Sequence, residues 1–307
     1  MKKIVAYFKK LDFKKELKQI CRYLYQDLLK PLLSTLTIFK HKPRLFIFLF
    51  VSFLCFQALP FGFIRNIITF VCVIVFLLSP LAESMLRGLE DVRYIATKKE
   101  KERLYPIFNE VYNKVKKNHK WISGNIELFL VDTAKIEAFA LCKNTIAISK
   151  GLMETFTDEE IKAILSHEFA HLIKGDAQVK SLIYFGTSVF TTGAVIAYKV
   201  IEWIYNTLGD GLVSSLLKLV NLAIYGFLTI TVKLLCLVVT GSDRRLEYKA
   251  DTYSNQLGYG KAMIDGLYIT QSMEIADKKQ LSNRLIESHP RTAYRIERLE
   301  NMLHEKK

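Results

Sequence analysis

The segment SHEFAHLIKGD, Ser166 to Asp176, carries two imidazoles and a carboxylate at a spacing that does chemistry if the chain is helical there. His167 and His171 are four residues apart, so on a helix their rings stand one turn apart on one face and can hold a single ion. Glu168 is rotated from them by roughly one hundred degrees, near enough to activate a water without becoming a ligand. This is the H-E-x-x-H arrangement: two nitrogen ligands, a carboxylate base and an open coordination position. The competing interpretation is a polar stripe on an ordinary helix. Ser166 needs no nucleophilic role beside His167 and reads as a helix residue facing away.

Catalytic zinc takes three protein ligands plus water, so one ligand must come from elsewhere in the chain. RRLEYKAD, Arg244 to Asp251, offers Glu247 and Asp251, again four residues apart. One of these carboxylates can bind the metal while the other accepts a hydrogen bond from a ligand histidine. Spacing alone does not distinguish that from a solvated helix face.

The elements that must position these groups are legible in outline. In TFTDEEIKAILSHEFAHLIKGD, Thr157 can cap a helix and Glu160, three residues on, completes a capping box. Ile161, Ile164, Leu165, Phe169 and Leu172 form its apolar face, and Gly175 marks its end. Upstream, IELFLVD, AFALC and TIAISKG are short and rich in β-branched and aromatic residues. They predict a small antiparallel sheet with turns near 133–137 and 143–144. Before them, EDVRYIATKKEKERLYPIFNEVYNKVKK reads as helix, with Leu104, Ile107, Phe108, Val111 and Val115 recurring every three or four residues.

Around this region the chain is apolar and basic. It has 307 residues, 50% hydrophobic and 24% charged, with a formal net charge of +14, and a mean hydropathy of +0.16. Arg44 to Pro80 is too long for one span of ~20 residues, and Pro60, Phe61 and Gly62 break it into a hairpin, 44–60 and 63–80. Leu182–Tyr198 and Leu212–Val239 are the third and fourth candidates, the last carrying Lys218 and Lys233. The expected fold is therefore an α+β membrane protein, mainly helical, with about four transmembrane helices.

Up to Arg44 there are twelve Lys and Arg against three acids, so most of the excess charge precedes the first apolar run. This segment, the Lys98–Arg103 cluster and Arg244 with Arg245 all fall on one side of an even number of spans, while the loop 206–211 has no Lys or Arg. The cationic charge thus reads as topology rather than nucleic-acid binding, and it puts both termini and the active site on the cytoplasmic side of the cell (inner) membrane. Apolar residues at helical spacing within 1–43 suit either a surface-lying helix on the anionic leaflet or a merely solvated charged helix. The expected order is a basic amphipathic segment 1–43, a hairpin 44–82, a catalytic region 83–181, spans within 182–240, and a helical part 241–307 that completes the metal site. Five scattered cysteines suggest neither a disulfide framework nor a CxxC clamp. No cleavable signal pattern is visible, and no GxxxxGK[ST] segment predicts nucleotide binding.

Several separated segments, in order, resemble the HtpX-like membrane zinc metalloproteases, relatives of the CAAX prenyl proteases: EAFALC, ISKGLMETFTDEEIKAILSHEFAHLIKGD, RRLEYKAD and SHPRTAYRIERL. The resemblance implies a zincin-like domain with one zinc per chain held by His167, His171 and Glu247, and Glu168 as catalytic base. It makes Asp251 and Asp176 supporting carboxylates. Through an H-P-x-x-x-x-R pattern it makes His289 and Arg295 stabilisers of the oxyanion, the alternative being a His-Pro helix start with an arginine that pairs the C-terminal part. Ala138, Phe139 and Ala140 become the edge strand to which a substrate adds. It further implies an endopeptidase acting on misfolded or surplus membrane proteins in quality control. The alternatives are a CAAX-type prenyl protease and a catalytically silent membrane scaffold. The chain departs from the family at Glu137, where asparagine is usual, at Cys142, where glycine is usual, and at Arg291, where a second proline is usual. Glu137 shifts the expected substrate preference toward basic segments.

Overall fold

The computed structural model describes residues 62–119, 126–209, 211–240, 243–276 and 292–305, together with Ile122 and a few positions between 45 and 54. The basic segment 1–43, most of the first apolar stretch 44–60, and His289 lie outside the described residues.

Helix α1 (Phe63–Leu77) is followed, after a bend of 67°, by α2 (Pro80–Leu89), which Ser79 caps through the Ala82 amide. A short strand β1 (Val92–Tyr94) then precedes α3 (Lys98–Asn118). The sequence suggested helix throughout this stretch. The boundary is set by a capping box that Thr97 and Glu100 close, and Arg93 ties the strand to that box through two hydrogen bonds to Glu100.

Strands β2 (Glu127–Val131), β3 (Ala138–Leu141) and β4 (Thr145–Ser149) follow, with the sheet order β1-β2-β4-β3. The sheet is mixed, not antiparallel as expected: β2 pairs with β4 in parallel, Glu127 opposite Thr145 through Val131 opposite Ser149. Burial explains the order. All of β4 and four residues of β2 are buried, so these strands take the centre, while the half-buried β3 goes to the edge. To reach that edge the 132–137 link passes tightly over residue 151. A Cβ on Gly151 would meet the Ala134 carbonyl oxygen at 2.2 Å, so only glycine fits.

The pairing of β3 with β4 is antiparallel, as expected. The Glu137 carbonyl accepts from the Ser149 amide at 2.9 Å, so alternation turns the amides and carbonyls of Ala138 and Ala140 away from β4. β3 therefore presents an open main-chain edge.

After α4 (Lys150–Thr155), helix α5 (Asp158–Ile173) starts at the predicted Thr157–Glu160 capping box. Ile161, Leu165 and Phe169 on α5 are fully buried with Leu104, Phe108, Ile146 and Ile148 from α3 and the sheet. At ~2 kcal/mol per large apolar side chain, this packing fixes α5 far more firmly than its weak helical periodicity does. Two long helices follow, α6 (Asp176–Thr207) and α7 (Leu212–Thr240), packed against each other, then α8 (Asp243–Gln256), α9 (Gly260–Ala276) and α10 (Thr292–His304).

Among the described residues one helix is long and apolar enough to cross a membrane, 212–231 within α7. A second is added if the bent pair α1–α2 counts as one broken span. Of the four spans expected from sequence, the described residues thus carry one or two, and the first, 44–60, lies almost wholly outside them. Residues 182–198 form the middle of α6, and glycine, threonine and serine dilute their apolar content.

Candidate metal centre

α5 and α8 pack closely because their facing residues are small: Ala163 and Ser166 on one side, Ala250 and Ser254 on the other, are all fully buried. Ser166 Oγ lies 2.7 Å from both the Ala163 carbonyl and Ser254 Oγ, and Ser254 donates to the same carbonyl at 3.1 Å. Ser166 is thus a packing residue inside the crossing, not a residue facing away. Glu247 and Asp251 share the face of Ser254, seven and three residues before it, so the crossing brings both to the histidines.

The Nε2 atoms of His167 and His171 are 3.2 Å apart, with the rings at 78° to each other. Glu247 closes the triangle, its Oε2 3.2 Å from His167 Nε2 and its Oε1 3.4 Å from His171 Nε2. Zinc–ligand bonds of ~2.0 to 2.1 Å in tetrahedral geometry give donor–donor edges of roughly 3.3 Å. The two nitrogens are therefore spaced as one edge of a zinc tetrahedron, and each Glu247 oxygen stands at about that distance from one of them.

Behind the triangle each imidazole meets a second carboxylate. His167 Nδ1 is 2.9 Å from Asp251 Oδ1, and His171 Nδ1 is 3.4 Å from Asp176 Oδ2. Such contacts fix the tautomer that leaves Nε2 free for an ion. Asp176 reaches its place because Gly175, with φ of +68°, turns the chain through a left-handed residue between α5 and α6. Asp251 is clamped in turn by Arg295 on α10, whose Nε and Nη2 donate to its two oxygens at 2.9 and 2.7 Å.

Electrostatics favour a cation at the triangle. Among the described residues, Glu168, Asp176, Glu247 and Asp251 are buried with one guanidinium, Arg295, so with neutral imidazoles four formal negative charges less one positive leave three. Burying that excess is costly without a counter-charge. Burial opposes protonation of His171, yet hydrogen bonds to Asp176 and Glu247 outweigh it and hold the ring at about 9. Burial likewise opposes charge on His167, but Asp251 and Glu247 raise its pKa above the usual histidine value. For Asp251 burial pushes the carboxyl up, and Arg295 with His167 bring it below its ordinary value. The compact N, N, O donor set and this negative field fit a divalent ion such as zinc.

Glu168 differs from the other three acids. Among the described residues its carboxylate has neither a hydrogen bond nor an ion pair, although it sits on the same helix turn as the ligand histidines. Arg295, expected to stabilise the oxyanion, gives Nε and Nη2 to Asp251, and its remaining Nη1 lies 3.9 Å from Glu247 Oε2. Spacing could not reveal that partnership, since 44 residues separate the two groups. Ala138, Phe139 and Ala140 lie on β3, which packs against α5.

Residues 98–303 match the profile of peptidase family M48. The chain belongs to that family. Curated relatives of this M48 member include a protease HtpX homolog of Acidovorax ebreus, 28% identical over 172 residues, covering 51% of this chain and 57% of that one. An HtpX homolog of Nitrosomonas eutropha is 27% identical over 198 residues, 58% of this chain and 66% of its own. Protease HtpX of Pseudomonas putida strain GB-1 is 32% identical over 125 residues, 40% of each chain. The matched stretch thus spans less than two thirds of these relatives' own length. Among solved structures, S. mikatae Ste24p aligns over 94% of this chain and 65% of its own, with 16% identity and a TM-score of 0.47. The expected HtpX-like metalloprotease kinship holds.

Proposed function

We propose that this M48 member is a zinc-dependent endopeptidase, its ion held by His167, His171 and Glu247. The observation that carries this reading is the pair of Nε2 atoms 3.2 Å apart, with Glu247 oxygens 3.2 Å from one and 3.4 Å from the other, beside a Glu168 unengaged among the described residues. When bound, zinc supplies Lewis acidity toward the scissile carbonyl and brings water to nucleophilic strength near neutral pH. Glu168 takes the proton of the attacking water on its carboxylate and passes it to the leaving amine. Asp251 and Asp176 keep the Nδ1 protons on the two histidines, and Arg295 keeps Asp251 in place. His289 and the remaining Nη1 of Arg295 donate to the oxyanion.

A substrate segment lies along β3 and pairs with the outward amides and carbonyls of Ala138 and Ala140. Glu137 heads that strand half-buried, with no ion pair among the described residues, and favours a basic side chain in the neighbouring substrate position. The substrates are misfolded or surplus membrane proteins, cut without nucleotide at the cytoplasmic face of the inner membrane as quality control. The short step from α7, which holds the span candidate, to α8, which holds Glu247, supports a site close to the bilayer.

The test is cleavage of an unfolded protein by the detergent-purified, zinc-loaded chain and by Glu168→Gln. Equal cleavage by the variant, or purified chain without zinc, sinks the mechanism. Cleavage confined to prenylated peptides moves the reading to a CAAX-type enzyme, and zinc binding with no cleavage of any substrate moves it to a scaffold.

A further inference from the structure

The turn between β3 and β4 is held from outside the sheet. Its residue Cys142 has φ of +47°, the left-handed region that glycine occupies without penalty and a cysteine does not. Strain of this kind persists only where the surroundings over-determine the conformation. Two side chains do so. The Cys142 amide donates to Ser181 Oγ on α6 at 3.0 Å, and the Asn144 amide donates to Glu83 Oε1 on α2 at 2.9 Å.

Glu83 does more than cap the turn. Its Oε1 also accepts from Thr145 Oγ1 at 2.7 Å, and Thr145 Oγ1 accepts from Arg87 Nη1 at 3.1 Å. Arg87 in turn lies over the Phe129 ring on β2, 4.8 Å from its centroid. Glu83 is 4% exposed and Thr145 is fully buried, so water does not compete for these bonds. Leu77, Ala82 and Leu86 pack with Cys142, Val179, Leu182 and Ile183 in one apolar cluster at the same junction. The open edge strand β3 is therefore fixed at its far end by the helix that follows α1, independently of the metal ligands.

We propose that Glu83 is a positioning residue for the substrate strand, holding the β3–β4 turn so that the open edge of β3 stands at a fixed height beside the metal helix α5. This rests on the endopeptidase reading and predicts that Glu83 governs substrate engagement rather than metal binding.

The experiment compares the zinc-loaded full chain in detergent with Glu83→Ala and Glu83→Gln, using an unstructured fluorogenic peptide and hydrogen exchange at the Asn144 amide. Loss of a buried hydrogen-bond acceptor in Glu83→Ala is expected to raise KM about tenfold with kcat changed less than about threefold. Zinc stoichiometry stays at the wild-type level, and Asn144 exchanges faster while amides of α5 do not. Glu83→Gln keeps an acceptor oxygen and restores KM to within about threefold of wild type. An unchanged KM in Glu83→Ala, a loss of zinc, or unchanged exchange at Asn144 overturns the assignment.

If Glu83→Ala does not fold, Thr145→Val removes one of the two bonds at nearly constant volume. It is expected to raise KM and Asn144 exchange together, and no change in either again overturns the role. A wild type that binds zinc but cleaves nothing overturns the substrate role along with the reading beneath it. A cleaving wild type with an indifferent alanine variant overturns the role alone.

Discussion

α5 and α8 each offer the metal centre two side chains four residues apart, but the pairs are used differently. On α5 both members, His167 and His171, turn their Nε2 atoms to the ion position. On α8 only Glu247 does so, while Asp251 reaches past it to the back of His167. The neutral ligands thus borrow orientation from carboxylates, and the carboxylate helix borrows it from a cation, Arg295, on α10. Each charge is supported by one of opposite or complementary kind, for His167 and Asp251 from a helix far away in sequence and for His171 from the start of the next helix.

The largest expected effect breaks the α8 side of this comparison outright. Glu247→Ala removes the only anionic member of the triangle, so the purified chain is expected to carry almost no zinc by elemental analysis. Retention of stoichiometric zinc would show that α8 supplies no ligand. Next comes the cation behind α8. Arg295→Ala strands a buried carboxylate and is expected to cost about 3 kcal/mol of stability. Combining Arg295→Met with Asp251→Asn should recover most of that loss in thermal or denaturant unfolding, whereas additive losses would mean the pair is not the point of stress.

A smaller effect sharpens the difference between the two histidine partners. Asp176 lies 3.4 Å from His171, against 2.9 Å for Asp251 and His167. Asp176→Asn is therefore expected to weaken zinc about tenfold in chelator competition, at the low end for such supporting groups, and Asp251→Asn more. The reverse order would contradict the geometry.

The smallest effect concerns the two helix starts. Glu100, buried against Arg93, is held at about 2 by that guanidinium, well below the ordinary carboxylate value. With its folded value depressed, its contribution is complete above the ordinary value and is lost as the solution is acidified from about pH 4.5 toward 2. Glu100→Gln should flatten the acid side of a denaturant-midpoint profile more than Glu160→Gln, which alters the corresponding box on α5 in an exposed position.

Much of the centre was legible because it is written in local spacing: two pairs at four residues, a capping box at Thr157 and Glu160, and a glycine at the end of α5. The three strands β2, β3 and β4 were also visible one by one. Their order was not, because a half-buried strand and one buried on both faces look alike when each is only four or five residues long. β1 was missed for a related reason. Three residues ahead of a strongly charged helix leave no period to detect, although Thr97 and Glu100 marked where the helix begins. The partner of Arg295 and the grip of Glu83 on the β3–β4 turn depend on contacts 44 and 61 or more residues apart, which no local pattern encodes.

Gly175 has a mechanical consequence. α6 is 32 residues long, about 48 Å at the helical rise, and Asp176 sits in its first turn, within ~5 Å of the left-handed residue. If α6 swings as a rigid rod about that point, its far end travels about ten times farther than the carboxylate does. The joint thus gears down movement: displacements of several ångströms at the distant end arrive at His171 as tenths of an ångström, and the ligand geometry is insulated from whatever the far half of the helix is embedded in.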